Sequence, residues 1–427
     1  MGKTYASCLL INKFLEAKPK ANVLILVAIA ENVKQWNNAI KTTCGYNTNI
    51  NVMTIQYYQY HNLNITCDLL IVDEIHMFYS EERIGILLNK TITYKFFLGL
   101  SATPENNNNT YFTKIQSQIP IISTITEEEA IYNGWISDYI ELNLPVDLSE
   151  TERVNYEELC ADIEAYIDYF TVKSIENIVN ESVNGFNLAL ACISGKDSVD
   201  AFTWATKVAV EKGYEIEVDA DTPYDVIQKA KEVLGLTRRR KVLLQHIMTK
   251  SQVVLELLDI FDTRQTMLFS EDTLFADSIF KQIKEKYERI SDSYAVIYHT
   301  NLETQIRTNK KTGNEIKFGK TRLKNEAIER IIDGTSKVLV TAKALDTGVD
   351  VAGISAAIIT SGTSNYVQQK QRSGRTKRIS DDKLAIIVNV YGRNTKDESG
   401  LSFRQRKSDG NKIHWIQSIT DIYKYID

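Results

Sequence analysis

Cysteine, proline and long apolar runs are all scarce in this 427-residue chain, and each scarcity removes a class of protein. The five cysteines, Cys8, Cys44, Cys67, Cys160 and Cys192, stand far apart and form no Cys-x-x-Cys pair. That spacing argues against a disulfide scaffold or a zinc site, and the expectation is reduced thiols in a core. Five prolines and 19 glycines are too few for a collagenous or proline-rich disordered chain. The longest apolar run, Val23 to Ala30, covers eight residues, whereas a bilayer span needs about 20. No membrane segment is expected. Lys3, Lys13 and Glu16 interrupt the opening residues, so no secretory leader is readable and the expected compartment is the cytoplasm.

What is present has globular proportions, with 43% hydrophobic and 25% charged residues. At about 150 residues per domain the length allows two or three domains. The net charge of −5 argues against binding nucleic acid over the whole surface, so local patches must decide that question.

The pattern along the chain is α/β. Apolar, β-branched runs at Val23 to Ile29, Val52 to Ile55, Leu69 to Val72 and Phe96 to Leu100 alternate with helix-like stretches such as Glu31 to Thr42. Such alternation predicts a parallel sheet covered by helices. The rhythm returns at Thr266 to Phe269, Ala295 to Tyr298, Lys337 to Thr341, Ala356 to Thr360 and Leu384 to Val390. Expected domains are therefore 1–145, a mostly helical connector over 146–250, a second α/β domain over 251–395, and a basic tail over 396–427 with no clear period.

Five segments carry chemistry. Gly2-Lys3-Thr4 has the last three residues of a G-x-x-x-x-G-K-[ST] loop, in which backbone N–H groups and the lysine hold phosphates and the hydroxyl ligates Mg²⁺. Alone it reads more readily as a chance sequence at a frayed terminus, but a helix-like stretch and an apolar strand follow in the order the loop requires. Leu69 to Val72 ends in Asp73-Glu74-Ile75-His76. Carboxylates at the carboxyl end of a buried parallel strand sit where ligands bind in open sheets; one can hold Mg²⁺ while the other orients water. Ser101-Ala102-Thr103 again follows a strand, with hydroxyls able to hydrogen-bond the acidic pair.

The fourth segment is Gln371-Arg372-Ser373-Gly374-Arg375-Thr376-Lys377-Arg378, which places Arg375 and Arg378 on one face if helical. They read either as fingers neutralising a transferring phosphoryl group or as a basic surface helix. Upstream, Thr341 to Asp350 follows a strand. There Gly348 allows a close backbone approach, and Asp350 can accept from a ribose hydroxyl or couple to the arginines.

Taken in order, Gly-Lys-Thr, Asp-Glu-Ile-His, Ser-Ala-Thr, the Thr341 to Asp350 segment and Gln-Arg-Ser-Gly-Arg-Thr-Lys-Arg resemble motifs I, II, III, V and VI of superfamily two DExH-box helicases. The resemblance implies two RecA-like domains, ATP and Mg²⁺ as cofactors, and a nucleic-acid track. It implies that Gly2 and Lys3 bind phosphate, that Thr4 and Asp73 hold Mg²⁺, and that Glu74 activates water. Gln371, Arg375 and Arg378, with Gly348 and Asp350, would serve the nucleotide from the second domain. His76, Ser101 and Thr103 would couple hydrolysis to movement, and Thr54, Gln56 and Thr341 would contact the strand. Thr54-Ile55-Gln56 resembles motif Ib and Phe269-Ser270 ends a strand resembling motif IV, whereas Val27-Ala28-Ile29 departs from motif Ia. The segment Ala130 to Tyr139, with Gly134 and Trp135, resembles the DNA-remodelling branch and favours DNA over RNA.

Local charge bears on the track. Arg307, Lys310, Lys311, Lys317, Lys320, Arg322 and Lys324 face one acid, Glu315, and Arg238 to Arg240 form a second cluster. Both read as phosphate contacts or as solvated loops. The family often reads Gly-Met-Gly-Lys-Thr where this chain opens, so an amino-terminally truncated, phage-type helicase is expected. The rival readings are a non-catalytic nucleic-acid-binding fragment, an RNA helicase, and the motor of a larger restriction or remodelling complex.

Overall fold

The computed structural model describes residues 2–45, 47–61, 63–88, 91–102, 110–169, 173–174, 214–215, 223–287, 294–308, 314–342, 353–361, 374, 376, 384–406, 408 and 410–426. They divide into two compact units, one up to Asp138 and the other from Tyr139 onward. The fold is α/β, with a RecA-like parallel-sheet domain in each unit, and the helices over Glu150–Tyr169 and Pro223–Gln245 lie within the second unit.

The first unit holds β1 (Val23–Val27), β2 (Ile50–Thr54), β3 (Ile65–Val72) and β4 (Ile92–Gly99) in the order β2-β1-β3-β4. All three pairings are parallel. Val23, Ile25, Val27, Leu69 and Ile71 pack into one core cluster, and Leu24, Leu26, Leu70 and Val72 into another. Alternate residues thus feed opposite faces, which is why these strands read as unbroken apolar runs. Helices α1 (Lys3–Ala17) and α2 (Ala30–Thr43) flank β1 in sequence, and α2 buries Asn32, Trp36 and Ile40 at a spacing of four. The register places Val27 beside Thr54, Leu26 beside Val72, and Val72 beside Gly99. One sheet edge therefore gathers every strand's carboxyl end.

Strand limits differ from the sequence expectation for local reasons. Ile55, expected in a strand, opens helix α3 (Ile55–Tyr60), because the Thr54 hydroxyl accepts the Tyr57 N–H at 3.1 Å and caps it. β3 and β4 begin four residues earlier than expected, since their pairing starts at Ile65 and Ile92.

In the second unit, β5 (Asp138–Val146) joins a seven-stranded sheet. Helices α4 (Glu150–Tyr169) and α5 (Pro223–Gln245) pack together, burying Tyr156, Ile163, Ala230 and Val233. Short strands β6 (Lys173–Ser174) and β7 (Tyr214–Glu215) pair with each other. There follow β8 (Thr266–Ser270), β9 (Ala295–His299), β12 (Val338–Ala342), β13 (Ala356–Ile359), β14 (Leu384–Gly392) and β15 (Ile413–Trp415), with a small antiparallel hairpin of β10 (Gln305–Thr308) and β11 (Glu315–Phe318). The sheet order is β15-β5-β14-β13-β8-β12-β9. The tail is ordered, contrary to the expectation of no clear period. Thr395 caps a helix over Lys396–Gln405, and β15 pairs in parallel with β5. That pairing joins Ile413 to Glu141, across a separation no local pattern reports.

Cys8 and Cys67 are free core thiols, as expected, and burial pushes them up to about 11, whereas Cys44 and Cys160 are free but only half-buried. Among the described residues no helix is long and apolar enough to cross a membrane.

Candidate nucleotide site of the first unit

The carboxyl edge of the first sheet collects most of the candidate residues of this unit. Gly2 is left-handed, at φ 68°, and caps α1; that conformation strains an L-residue and leaves glycine unstrained. Its carbonyl accepts the Ala6 N–H at 2.8 Å, opening the helix whose first residues are Lys3 and Thr4. Lys3 Nζ reaches Glu74 Oε1 at 2.5 Å, and both side chains are about a quarter exposed. Glu74 itself takes a left-handed φ of 50° two residues past the end of β3, a costly conformation for a non-glycine residue that turns the chain sharply beyond the strand end.

Asp73 is buried. Trp36 Nε1 donates to its Oδ2 at 2.9 Å, and the Glu74 backbone N–H donates to its Oδ1 at 3.1 Å. Burial pushes the Asp73 carboxyl above its ordinary range, the Trp36 bond pulls it down, and the adjacent Glu74 charge pushes it up again. Among the described residues no cation forms an ion pair with it, since the nearby Lys3 pairs with Glu74.

His76 is buried in the 3-10 turn Ile75–Phe78. Its Nδ1 lies 2.8 Å from Ser101 Oγ and 3.3 Å from Glu74 Oε2. Burial holds this imidazole below its ordinary value, against the opposing pull of the Glu74 carboxylate. The Leu100 carbonyl accepts the Ile75 N–H, and the Val72 carbonyl accepts the Leu100 N–H, which sets Ser101 opposite His76.

Lys3, Asp73, Glu74, His76 and Ser101 are thus linked by direct contacts, and Gly2 and Thr4 flank Lys3 at the start of α1. Thr54 ends β2 on the same edge with its hydroxyl engaged as a cap, and Gln56 is exposed on α3. Thr341 lies in β12 of the second unit, buried, with no partner for its hydroxyl among the described residues. Thr103, Gly348, Asp350, Gln371, Arg375 and Arg378 lie outside the described residues.

Two supporting residues escaped the sequence reading. Trp36 looked like any buried aromatic on an amphipathic helix; only the fold brings it to Asp73. Gly99 ends β4 where a Cβ would meet Ile75 Cδ1 at 2.8 Å, so its small size lets the turn after Glu74 pack. In the basic patch, Arg307 is bonded to Glu326 at 2.7 and 2.9 Å and stacks over Phe318, so much of its charge is neutralised internally.

The donor set fits a nucleoside triphosphate with a magnesium ion. Among the described residues no three His, Cys, Asp or Glu side chains gather as a metal site, but Mg²⁺ commonly takes only one or two protein ligands beside phosphate and water. Asp73, buried and without a cationic partner among the described residues, with the Thr4 hydroxyl on the helix headed by Gly2, supplies that kind of set.

Comparisons with known proteins bear on the fold and on the second unit. Residues 249–380 match the helicase conserved C-terminal domain. A curated relative, the DNA 3'-5' translocase XPB2 of Sulfurisphaera tokodaii, is 23% identical over 401 residues, covering 91% of this chain and 76% of its own. A variant of S. cerevisiae Dbp5, solved bound to RNA and ADP BeF3, shares the fold at TM-score 0.53 and 11% identity, over 99% of this chain and 85% of that one. The helicase domain of Pyrococcus furiosus Hef overlaps at TM-score 0.48 and 13% identity, over 93% of this chain and 91% of that one. The match to the helicase conserved C-terminal domain falls largely within the second unit, and the likeness to Dbp5 is one of fold.

Proposed function

We propose that this chain is an ATP-dependent nucleic-acid helicase or translocase of the DExH type, with DNA favoured over RNA as its track. The observation that carries the reading is the continuous contact from Lys3 through Glu74 and His76 to Ser101, beside the buried Asp73. Lys3 and Glu74 hold each other in the structure described here. In the proposed cycle Lys3 leaves Glu74 for the phosphate oxygens of ATP, and the freed carboxylate accepts a proton from the attacking water. Thr4 and Asp73 would hold Mg²⁺, which would supply positive charge to offset the negative charge building on the transferring phosphoryl group. Gly2 cradles the phosphates with its backbone.

In this proposal Gln371, Arg375, Arg378, Gly348 and Asp350 serve the same nucleotide. His76, Ser101 and Thr103 relay its state, while Thr54, Gln56 and Thr341 meet the strand. DNA is favoured by the resemblance of Ala130 to Tyr139 and by the translocase relative, whose name specifies DNA. The cytoplasm is the proposed compartment. The test is steady-state ATP hydrolysis with single-stranded DNA, duplex DNA and RNA at equal nucleotide concentration. Stimulation by DNA exceeding that by RNA supports the reading; greater stimulation by RNA replaces the track, and no stimulation by any of them rejects the motor.

A further inference from the structure

Trp36 and Asp73 form a contact that the proposed cycle does not use. The indole lies on the buried stripe of α2 between Asn32 and Ile40 and is fully enclosed, so its orientation is set by packing before any ligand arrives. Its N–H meets Asp73 Oδ2 at 2.9 Å, and the Glu74 N–H meets Oδ1 at 3.1 Å. Both donors are neutral. They fix the plane of the carboxylate and bring it no positive charge, while the nearby Lys3 is paired with Glu74 and not with Asp73. A buried carboxylate held in this way bears the cost of desolvation without gaining an ion pair. Such an arrangement makes physical sense when a cation from outside completes it.

Resting on the nucleotide-site reading above, we infer that Trp36 is a positioning residue for metal binding: its indole N–H holds Asp73 in the rotamer that receives the divalent ion carried by the nucleotide. Because Trp36 rides on α2, whose N-terminus follows β1 at the sheet's carboxyl edge, any displacement of that helix alters the metal site directly. Tyrosine or histidine would not place a donor at the same point on the same stripe. Phenylalanine keeps an aromatic ring and loses the donor.

The test measures binding rather than turnover, on the full chain. A fluorescent ADP analogue is titrated against wild type, Trp36→Phe and Ile40→Ala, once with excess Mg²⁺ and once with EDTA. Ile40→Ala trims the same stripe of α2 without touching Asp73 and reports a purely structural loss. The expected result is at least a tenfold loss of affinity in Mg²⁺ for Trp36→Phe, with the EDTA affinity within twofold of wild type and Ile40→Ala near wild type in both. Equal loss in both conditions, or no loss in either, overturns the inference. Wild type that binds the analogue equally with and without Mg²⁺ rejects the metal reading itself, a different failure. If Trp36→Phe does not fold, the indole resonance of Trp36 in ¹⁵N-labelled wild type decides. It moves on adding ADP with Mg²⁺ and not on adding ADP with EDTA, or the inference is overturned.

Discussion

His76 Nδ1 stands 2.8 Å from Ser101 Oγ, tying the turn after β3 to the segment after β4. The same ring is 3.3 Å from Glu74, so the carboxylate proposed to activate water is one side chain removed from Ser101. Ser101→Ala breaks this link. The ratio of ATP hydrolysis with saturating single-stranded DNA to hydrolysis without it is expected to fall by about tenfold, within the range of a lost coupling hydrogen bond of about 1–2 kcal/mol. A titration of DNA against steady-state turnover checks it; an unchanged ratio contradicts the role.

His76 also gives the stability a pH dependence of known sign. Burial holds its folded value below the ordinary one near 6.5. As pH falls through 6.5 the unfolded chain takes up a proton that the folded chain refuses, so stability drops with acidification. His76→Gln removes this contribution. Between about pH 7.5 and pH 5.5, a window spanning the ordinary histidine value, the wild type is expected to lose more of its urea midpoint than His76→Gln does, and parallel losses would exclude the ring as the cause.

The first unit was largely legible before its structure because its signals are local. Asp73-Glu74 directly behind Leu69 to Val72 states both a buried strand and the polarity of its end. Trp36 was not legible, because its role depends on a partner 37 positions away and on a face shared by many ordinary core aromatics. The tail fails for a related reason: Ile413 to Trp415 is a strand only because β5 is there to pair with it. Gly99 carried no signal either, since the crowding it relieves comes from Ile75 across the turn.

That crowding predicts a cost. Gly99→Ala puts a methyl 2.8 Å from Ile75 Cδ1 and 3.2 Å from Phe97 Cε1. Ile75 is buried, so its side-chain end must shift within a packed core, and the substitution is expected to destabilise the first unit by about 1–3 kcal/mol, as overpacking does. Chemical denaturation measures it, and a wild-type midpoint contradicts the packing described.

The second unit has a buried staple of its own. Lys250 is fully enclosed and donates to the Leu244 and Thr360 carbonyls at 2.8 Å and to Asp397 at 2.6 Å. Lys250→Met leaves Asp397 without its cation and is expected to cost about 3–5 kcal/mol. Adding Asp397→Leu should restore part of that loss, although the Gly392 N–H, bonded to Asp397 at 3.2 Å, then loses its acceptor. Urea midpoints of the single and double variants test the staple; a double variant no better than the single one argues against it.

The central claim is that Glu74 activates water for ATP hydrolysis at the carboxyl edge of the first sheet. Glu74→Gln keeps the shape of the side chain and removes the base, so the most direct measurement is Mg²⁺-dependent ATP turnover by wild type and Glu74→Gln, with nucleotide binding measured on both. The account predicts a loss of turnover of roughly a hundredfold or more with binding retained. Equal turnover by the two proteins would contradict it.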